Sequence, residues 1–245
     1  MRDGFNLEGK TFLLTGAAGE IGRSIALICS KLGAEMILID QNPMGDLCAQ
    51  LENGGGTPRN FQCDVTHRDQ VEDICRRAGP VDGCILNAAI SPFDDWMADG
   101  WDDVFHRVMA VNIKGPINFA RALLPGMQAR GWGRIVITGA VAGHTGGGML
   151  AATPPHYVIS KGGLHTFTRW LARRAGADIC VNAIAPGLVE TAMNASQPFI
   201  PSGAQIIKRK ATVDEIAWPV AFLCSPAASF MTGAILDVNG GVYLR

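Results

Sequence analysis

Phe12-Leu13-Leu14-Thr15-Gly16-Ala17-Ala18-Gly19-Glu20-Ile21-Gly22 passes from an unbroken apolar run through a turn of small residues into a helical pattern. An apolar run without polar alternation is what a strand buried on both faces looks like. The small residues after it let the backbone turn tightly, so that the following helix presents free N–H groups and the positive end of its dipole to an anion such as a pyrophosphate. Taken alone, such a turn serves equally well as a plain strand-to-helix connection.

Working outward, short apolar runs recur at 11–15, 36–40, 60–65, 83–87, 134–138, 179–185 and 234–238, and helix-length segments fall at 21–32, 44–51, 68–78, 101–130, 156–175 and 214–224. Alternation of this kind predicts an α/β fold: a doubly wound, Rossmann-type, seven-stranded parallel sheet with helices on both faces. The 245 residues fit one such domain, spanning 1–245, and 48% apolar composition suffices for its core. Two stretches break the rhythm: 143–155 is rich in Gly, Thr and Pro, and 193–208 has little periodicity. Both read as mobile walls of a site, with the substrate-side segment around 190–210.

Charge narrows the class of function. The 21 basic and 22 acidic residues give a net charge of −1 with no single-sign block, so no electrostatic footprint for nucleic acid is expected. Residues 1–10 carry Arg2, Asp3, Glu8 and Lys10 and lack the apolar core of a secretory signal, which predicts a cytoplasmic protein. No run approaches the ~18 apolar residues of a membrane span. The seven cysteines show no C-x-x-C pair and read as reduced, buried thiols, and the five histidines show no metal-ligand spacing, so no metal is expected.

Asp40 ends the second apolar run, 24 residues after Gly16, close to the spacing at which a carboxylate meets an adenosine ribose. A carboxylate there repels a 2′-phosphate, and Ala17, Ala18, Gly19 and Gln41 supply no base to offset it. NAD is the cofactor this pattern selects over NADP; the plainer reading is a strand-end Asp capping the next turn.

Farther along, Tyr157 and Lys161 lie four apart in a helical stretch introduced by Pro154 and Pro155, which sets phenol and ammonium on one face. A phenol with pKa of about 10 is a poor base at pH 7. Lowering it by about 3 units takes roughly 4 kcal/mol, which a neighbouring Lys⁺ and a cationic nicotinamide would supply in a dry site.

Thr15-Gly16 with Gly22, Asp40, Asp64-Val65, Asn87-Ala88, Val111-Asn112-Ile113, Tyr157 with Lys161, Pro186-Gly187 followed by Thr191, and Asp237-Val238-Asn239-Gly240-Gly241 occur in this order. In order and spacing they resemble the short-chain dehydrogenase/reductase family, from Leu7 to the C terminus. The resemblance implies hydride transfer between a nicotinamide and a small-molecule secondary alcohol or ketone, with Tyr157 as general acid/base. It implies that Lys161 also binds the nicotinamide ribose and that Asn112 anchors a water relay from Lys161. Gly16, Glu20 and Ile21 would lie at the pyrophosphate and Asp64 and Val65 at the adenine, while Asn87 and Ala88 line the cleft. Pro186, Gly187, Val189 and Thr191 would fix the carboxamide. Family members are commonly tetramers, so a homo-oligomer is expected.

Three departures stand against full transfer of function. Ala140 occupies the position of the family's catalytic serine at the end of the fifth strand, removing a donor of the kind worth about 2.7 to 4 kcal/mol; Thr138, His144 or Thr145 are candidate replacements. Glu20 replaces the middle glycine of the fingerprint, tolerable if it faces solvent or pairs with Arg23. Ala89 replaces the glycine of the family's Asn-Ala-Gly turn. The alternative function is therefore an NAD-binding protein with little or no redox activity. Phe93, Trp96, Met149, Leu150, Met193, Phe199 and Ile200 suggest an apolar pocket wall.

Overall fold

β1 (Thr11–Thr15) is buried over four of its five residues because it lies inside the sheet, paired in parallel with β2 (Glu35–Asp40) on one side and β4 (Gly83–Leu86) on the other. In the computed structural model, which describes residues 4–147, 153–194 and 205–244, seven parallel strands run in the order β3-β2-β1-β4-β5-β6-β7. The remaining strands are β3 (Arg59–Gln62), β5 (Gly133–Thr138), β6 (Ile179–Pro186) and β7 (Ile235–Val238). The chain builds outward from β1 to β3 and then crosses back to β4. That reversal opens a crevice beyond the carboxyl ends of β1 and β4, where ligands of open parallel sheets bind.

Helices cover both faces. α1 (Glu20–Lys31), α2 (Gly45–Asn53) and α8 (Val213–Cys224) bury Ile25, Leu47 and Ile216 against one side of the sheet, in a layer with Leu14 and Leu38. On the other side α3 (Arg68–Ala78), α5 (Gly115–Arg130) and α7 (Pro155–Ala172) bury Val71, Phe119 and Leu164 with Leu13 and Ile37. Alternate residues of each strand thus serve opposite layers, as a doubly wound sheet requires.

Several sequence expectations change. β3 is a short edge strand ending at Gln62, with Arg59, Asn60 and Gln62 exposed, because an outermost strand has a neighbour on one side only. The segment 101–130 is not one helix: α4 (Trp101–Met109) and α5 are joined by a π-helical turn, Ala110–Lys114, with Asn112 fully buried at its centre. Part of the expected mobile wall at 143–155 is helical, α6 (Ala142–Thr145), and residues 148–152 lie outside the described residues. Of the segment around 190–210, residues 195–204 also lie outside them, but its stems are tied by a bridge between Val189 and Ala211. All seven cysteines are buried and free, and burial pushes the Cys63 thiol up to about 11 and the Cys75 thiol up to about 12.

Candidate active site

The turn between β1 and α1 is built from missing side chains. Gly16 has φ of +70°, and a Cβ on it would lie 2.8 Å from the Ala88 Cα; a Cβ on Gly22 would lie 2.1 Å from the Gly16 carbonyl oxygen. Among the described residues the N–H groups of Glu20, Ile21 and Gly22 find no backbone acceptor, and the first bond of the helix is Arg23 N–H to Gly19 O at 2.8 Å. These free donors border a cleft of about 450 Å³. The Thr15 hydroxyl accepts from Asn87 N at 3.0 Å and Ala88 N at 3.2 Å, Asn87 Nδ2 donates to Gly16 O at 3.3 Å, and the Thr138 hydroxyl donates to Asn87 Oδ1 at 3.1 Å. The carboxyl ends of β1, β4 and β5 are thereby locked together under the cleft floor.

Every cofactor-side residue named from the sequence lines this cleft: Gly16, Glu20, Ile21, Asp40, Asp64, Val65, Asn87, Ala88, Tyr157, Lys161, Pro186, Gly187, Val189 and Thr191. Of the two readings of Asp40, the turn cap is present in the structure. Its Oδ2 accepts from Ala18 N at 3.0 Å, and its Oδ1 accepts from Asn42 N at 2.9 Å and Asn42 Nδ2 at 3.1 Å, so it caps the turn while bordering the cleft. Asp64 likewise accepts from Thr66 N at 2.9 Å. Glu20 is exposed, one of the two placements that make it tolerable, and does not pair with Arg23, which is engaged with Asp46 at 3.2 Å; its carboxylate accepts from Ala192 N at 2.6 Å.

Tyr157 and Lys161 share one face of α7, with Nζ 5.6 Å from the phenol ring centroid. Lys161 is 2% exposed and donates to Thr138 O at 2.9 Å. Burial pushes the phenol up to about 12 and the ammonium down to about 8. An acidified phenol is expected from Lys161 together with a cationic nicotinamide; in the protein on its own, desolvation sets the direction and raises the phenol. Asn112 lies behind the cleft. It accepts from Ile90 N at 2.8 Å and donates to Ile90 O at 2.9 Å and to Ser160 Oγ at 3.0 Å, and the Ser160 hydroxyl donates to Tyr157 O at 2.8 Å. Both amide N–H bonds are committed, so the side chain is a clamp between the segment after β4 and the helix carrying Tyr157.

Ala140 borders both the cleft and an adjoining chamber of about 100 Å³ that Tyr157, Phe93, Thr145 and Met193 also line. Of the candidate replacements for its missing hydroxyl, Thr138 is committed to Asn87. His144 stacks on Tyr243 at 4.7 Å and faces Asp237 Oδ1 at 3.3 Å, while Thr145 donates to Val141 O at 3.3 Å. Trp96 borders a neighbouring hollow, and Met149, Leu150, Phe199 and Ile200 lie outside the described residues. Sequence reading missed Thr15 and Thr138 as braces and Ser160 as a link. It also missed His156: fully buried, it meets Asp94 Oδ1 at 2.8 Å and pins the loop after β4 to the start of α7.

A dinucleotide-type turn, a carboxylate at the end of β2 and a helix-borne Tyr157–Lys161 pair thus meet in one cleft. Residues 16–243 match the family model described as enoyl-(acyl carrier protein) reductase. The chain belongs to the short-chain dehydrogenase/reductase family. It is 34% identical to the 3-oxoacyl-(acyl-carrier-protein) reductase of Pseudomonas aeruginosa over 98% of this chain and 99% of that one. Its fold superposes with TM-score 0.88 on a 3-oxoacyl-(acyl-carrier protein) reductase from Brucella melitensis with bound NAD, 33% identical, covering 98% of this chain and 94% of the other. A 3-oxoacyl (acyl-carrier-protein) reductase from Agrobacterium tumefaciens with NADP bound gives TM-score 0.88 at 28% identity, covering 97% and 96%. The protein is thus a short-chain oxidoreductase with a nucleotide-binding Rossmann-type fold, and the redox-inactive alternative raised by Ala140 is not favoured. Among the described residues no helix is long and apolar enough to cross a membrane.

Proposed function

We propose that this protein is an NAD-dependent oxidoreductase that interconverts a secondary alcohol and a ketone, with Tyr157 as general acid/base. The observation that carries the reading is the place of Tyr157, which borders both the dinucleotide-type cleft and the chamber beside it. The turn supports the fit: free N–H groups at the start of α1 suit a pyrophosphate, and the close contacts of Gly16 and Gly22 hold the tight turn that presents them. Bound there, the nicotinamide supplies or accepts the hydride.

The chain's own residues do the rest. Asp40 favours NAD: a carboxylate has about four acceptor sites, three are taken by Ala18 and Asn42, and what remains suits a ribose hydroxyl and repels a phosphate. Asp64 and Val65 border the adenine end, Asn87 and Ala88 the middle of the cleft, and Pro186, Gly187, Val189 and Thr191 the nicotinamide end. A phenol near 12 is protonated at pH 7 and poised to donate to a ketone oxygen; its return as a base requires more positive charge than Lys161 alone provides. Asn112 acts as a positioning residue for Tyr157 through Ser160. On the same reading the chain is one domain that works in the cytoplasm as a homo-oligomer, a tetramer by family resemblance, with the exposed Ile159 and Trp170 of α7 at an interface.

The test is fluorescence titration with NADH and NADPH, followed by a panel of ketones and alcohols with wild type and Tyr157→Phe. Tighter binding of NADH and a fall in kcat of about 100-fold or more in the variant are expected. Undiminished turnover by Tyr157→Phe overturns the mechanism, and tighter binding of NADPH overturns the cofactor assignment.

A further inference from the structure

Glu20 stands at the first position of α1, where the family fingerprint has a glycine, yet its carboxylate does not cap its own helix. Oε2 accepts from the N–H of Ala192, 172 positions later, at 2.6 Å. Both ends of this bond border the cleft, Glu20 on one side and Thr191 and Met193, the neighbours of Ala192, on the other. We propose that Glu20 is a positioning residue that ties the turn after β6 across the dinucleotide cleft and slows release of the nucleotide. The proposal rests on reading the cleft as a dinucleotide site.

Three observations carry it. The far end of the tie is anchored, because Glu190 N–H donates to Ala211 O at 2.9 Å and Ala211 N–H to Leu188 O at 2.9 Å, so a pull on Ala192 meets a fixed stem. The other partner within reach in sequence, Arg23, is held by Asp46 through both of its terminal nitrogens. Turning toward Ala192 also leaves the N–H groups of Glu20, Ile21 and Gly22 without an acceptor from this carboxylate, so an anion can use them. A carboxylate beside a pyrophosphate site is thereby put to use as a hydrogen-bond acceptor for the opposite wall.

The test is stopped-flow release of NADH from wild type, Glu20→Ala, Glu20→Gln, Ala192→Pro and the Glu20→Ala/Ala192→Pro double variant, each checked for folding by circular dichroism. Ala192→Pro deletes the donor at the first position of the 3-10 turn Ala192–Asn194, where proline fits a helical start. A hydrogen bond to a charged group predicts release about 10-fold faster in Glu20→Ala and in Ala192→Pro, with the double variant no faster than either. Glu20→Gln keeps an acceptor and should stay within about 3-fold of wild type. Slower release in both Glu20 variants, with Ala192→Pro unchanged, means that Glu20 acts only by repelling the pyrophosphate and overturns the tie. Additive effects in the double variant overturn it as well. Wild-type protein that binds no NADH overturns the cofactor reading itself, and the tie falls with it, before any variant is compared.

Discussion

The turn after β1 and the end of β5 border one cleft, and they are made of different material. The turn is held by backbone atoms that touch because side chains are missing: Gly22 packs so closely that a Cβ would sit 2.1 Å from the Gly16 carbonyl. At the end of β5, Ala140 leaves a place where the family carries a hydroxyl, and the neighbouring polar groups Thr138 and His144 are engaged elsewhere. One end of the site is fixed by backbone geometry, and the other depends on which side chains arrive there. The first should therefore be brittle to added atoms and the second tolerant of them.

The largest effect should come from breaking the turn. Gly22→Ala places a methyl group against backbone that cannot move without opening β1 from α1, and a loss of about 3 kcal/mol in urea unfolding is expected together with loss of NADH binding. Gly19→Ala is the control: its Cβ would meet only the Gly16 carbonyl oxygen, at 3.5 Å, so a change under about 0.5 kcal/mol is expected. Equal tolerance of both substitutions removes the claim that close contact shapes this end.

Ala140→Ser probes the other end in the opposite sense. A hydroxyl restored beside Tyr157 gives the developing alkoxide a second donor, and a rise in kcat of about 10- to 100-fold with little change in KM for NADH is expected in ketone reduction. A fall in kcat would mean that the chamber is shaped around the methyl group and that another group already holds the oxygen.

The same contrast explains what could be read from the sequence. The seven strands, their parallel arrangement and the turn after β1 were legible because they follow from local signals, apolar runs and small residues at a turn, while most of the residues that line the cleft came from the family resemblance. What could not be read depends on contacts between distant segments. Glu20 pairs with a backbone N–H 172 residues away. The π-turn Ala110–Lys114 leaves the apolar periodicity of 101–130 unbroken in sequence, and only the demand of Asn112 for both Ile90 backbone groups and Ser160 marks it. The acidity of the phenol in the protein on its own was not legible for another reason. Sequence puts Tyr157 and Lys161 on one face but is silent on how dry that face is, and dryness moves both groups toward their neutral forms.

That dryness yields the smallest expected effect, in the pH dependence. Burial brings the Lys161 ammonium from its usual 10.5 down to about 8, so it carries its charge below that pH and loses it as the pH rises through it. The ammonium favours departure of the Tyr157 proton toward a ketone, so kcat/KM for reduction, which reports on the free enzyme, should be flat below about pH 8 and fall by up to tenfold per unit above it. Binding of ADP-ribose, which needs the backbone N–H groups of the turn and no ammonium, should stay flat over the same range. Lys161→Met should turn over slowly and lose the alkaline fall; if the fall persists in that variant, the titrating group is not Lys161. If ADP-ribose binding follows the same curve, the two ends of the site are coupled through a shared charge rather than built independently.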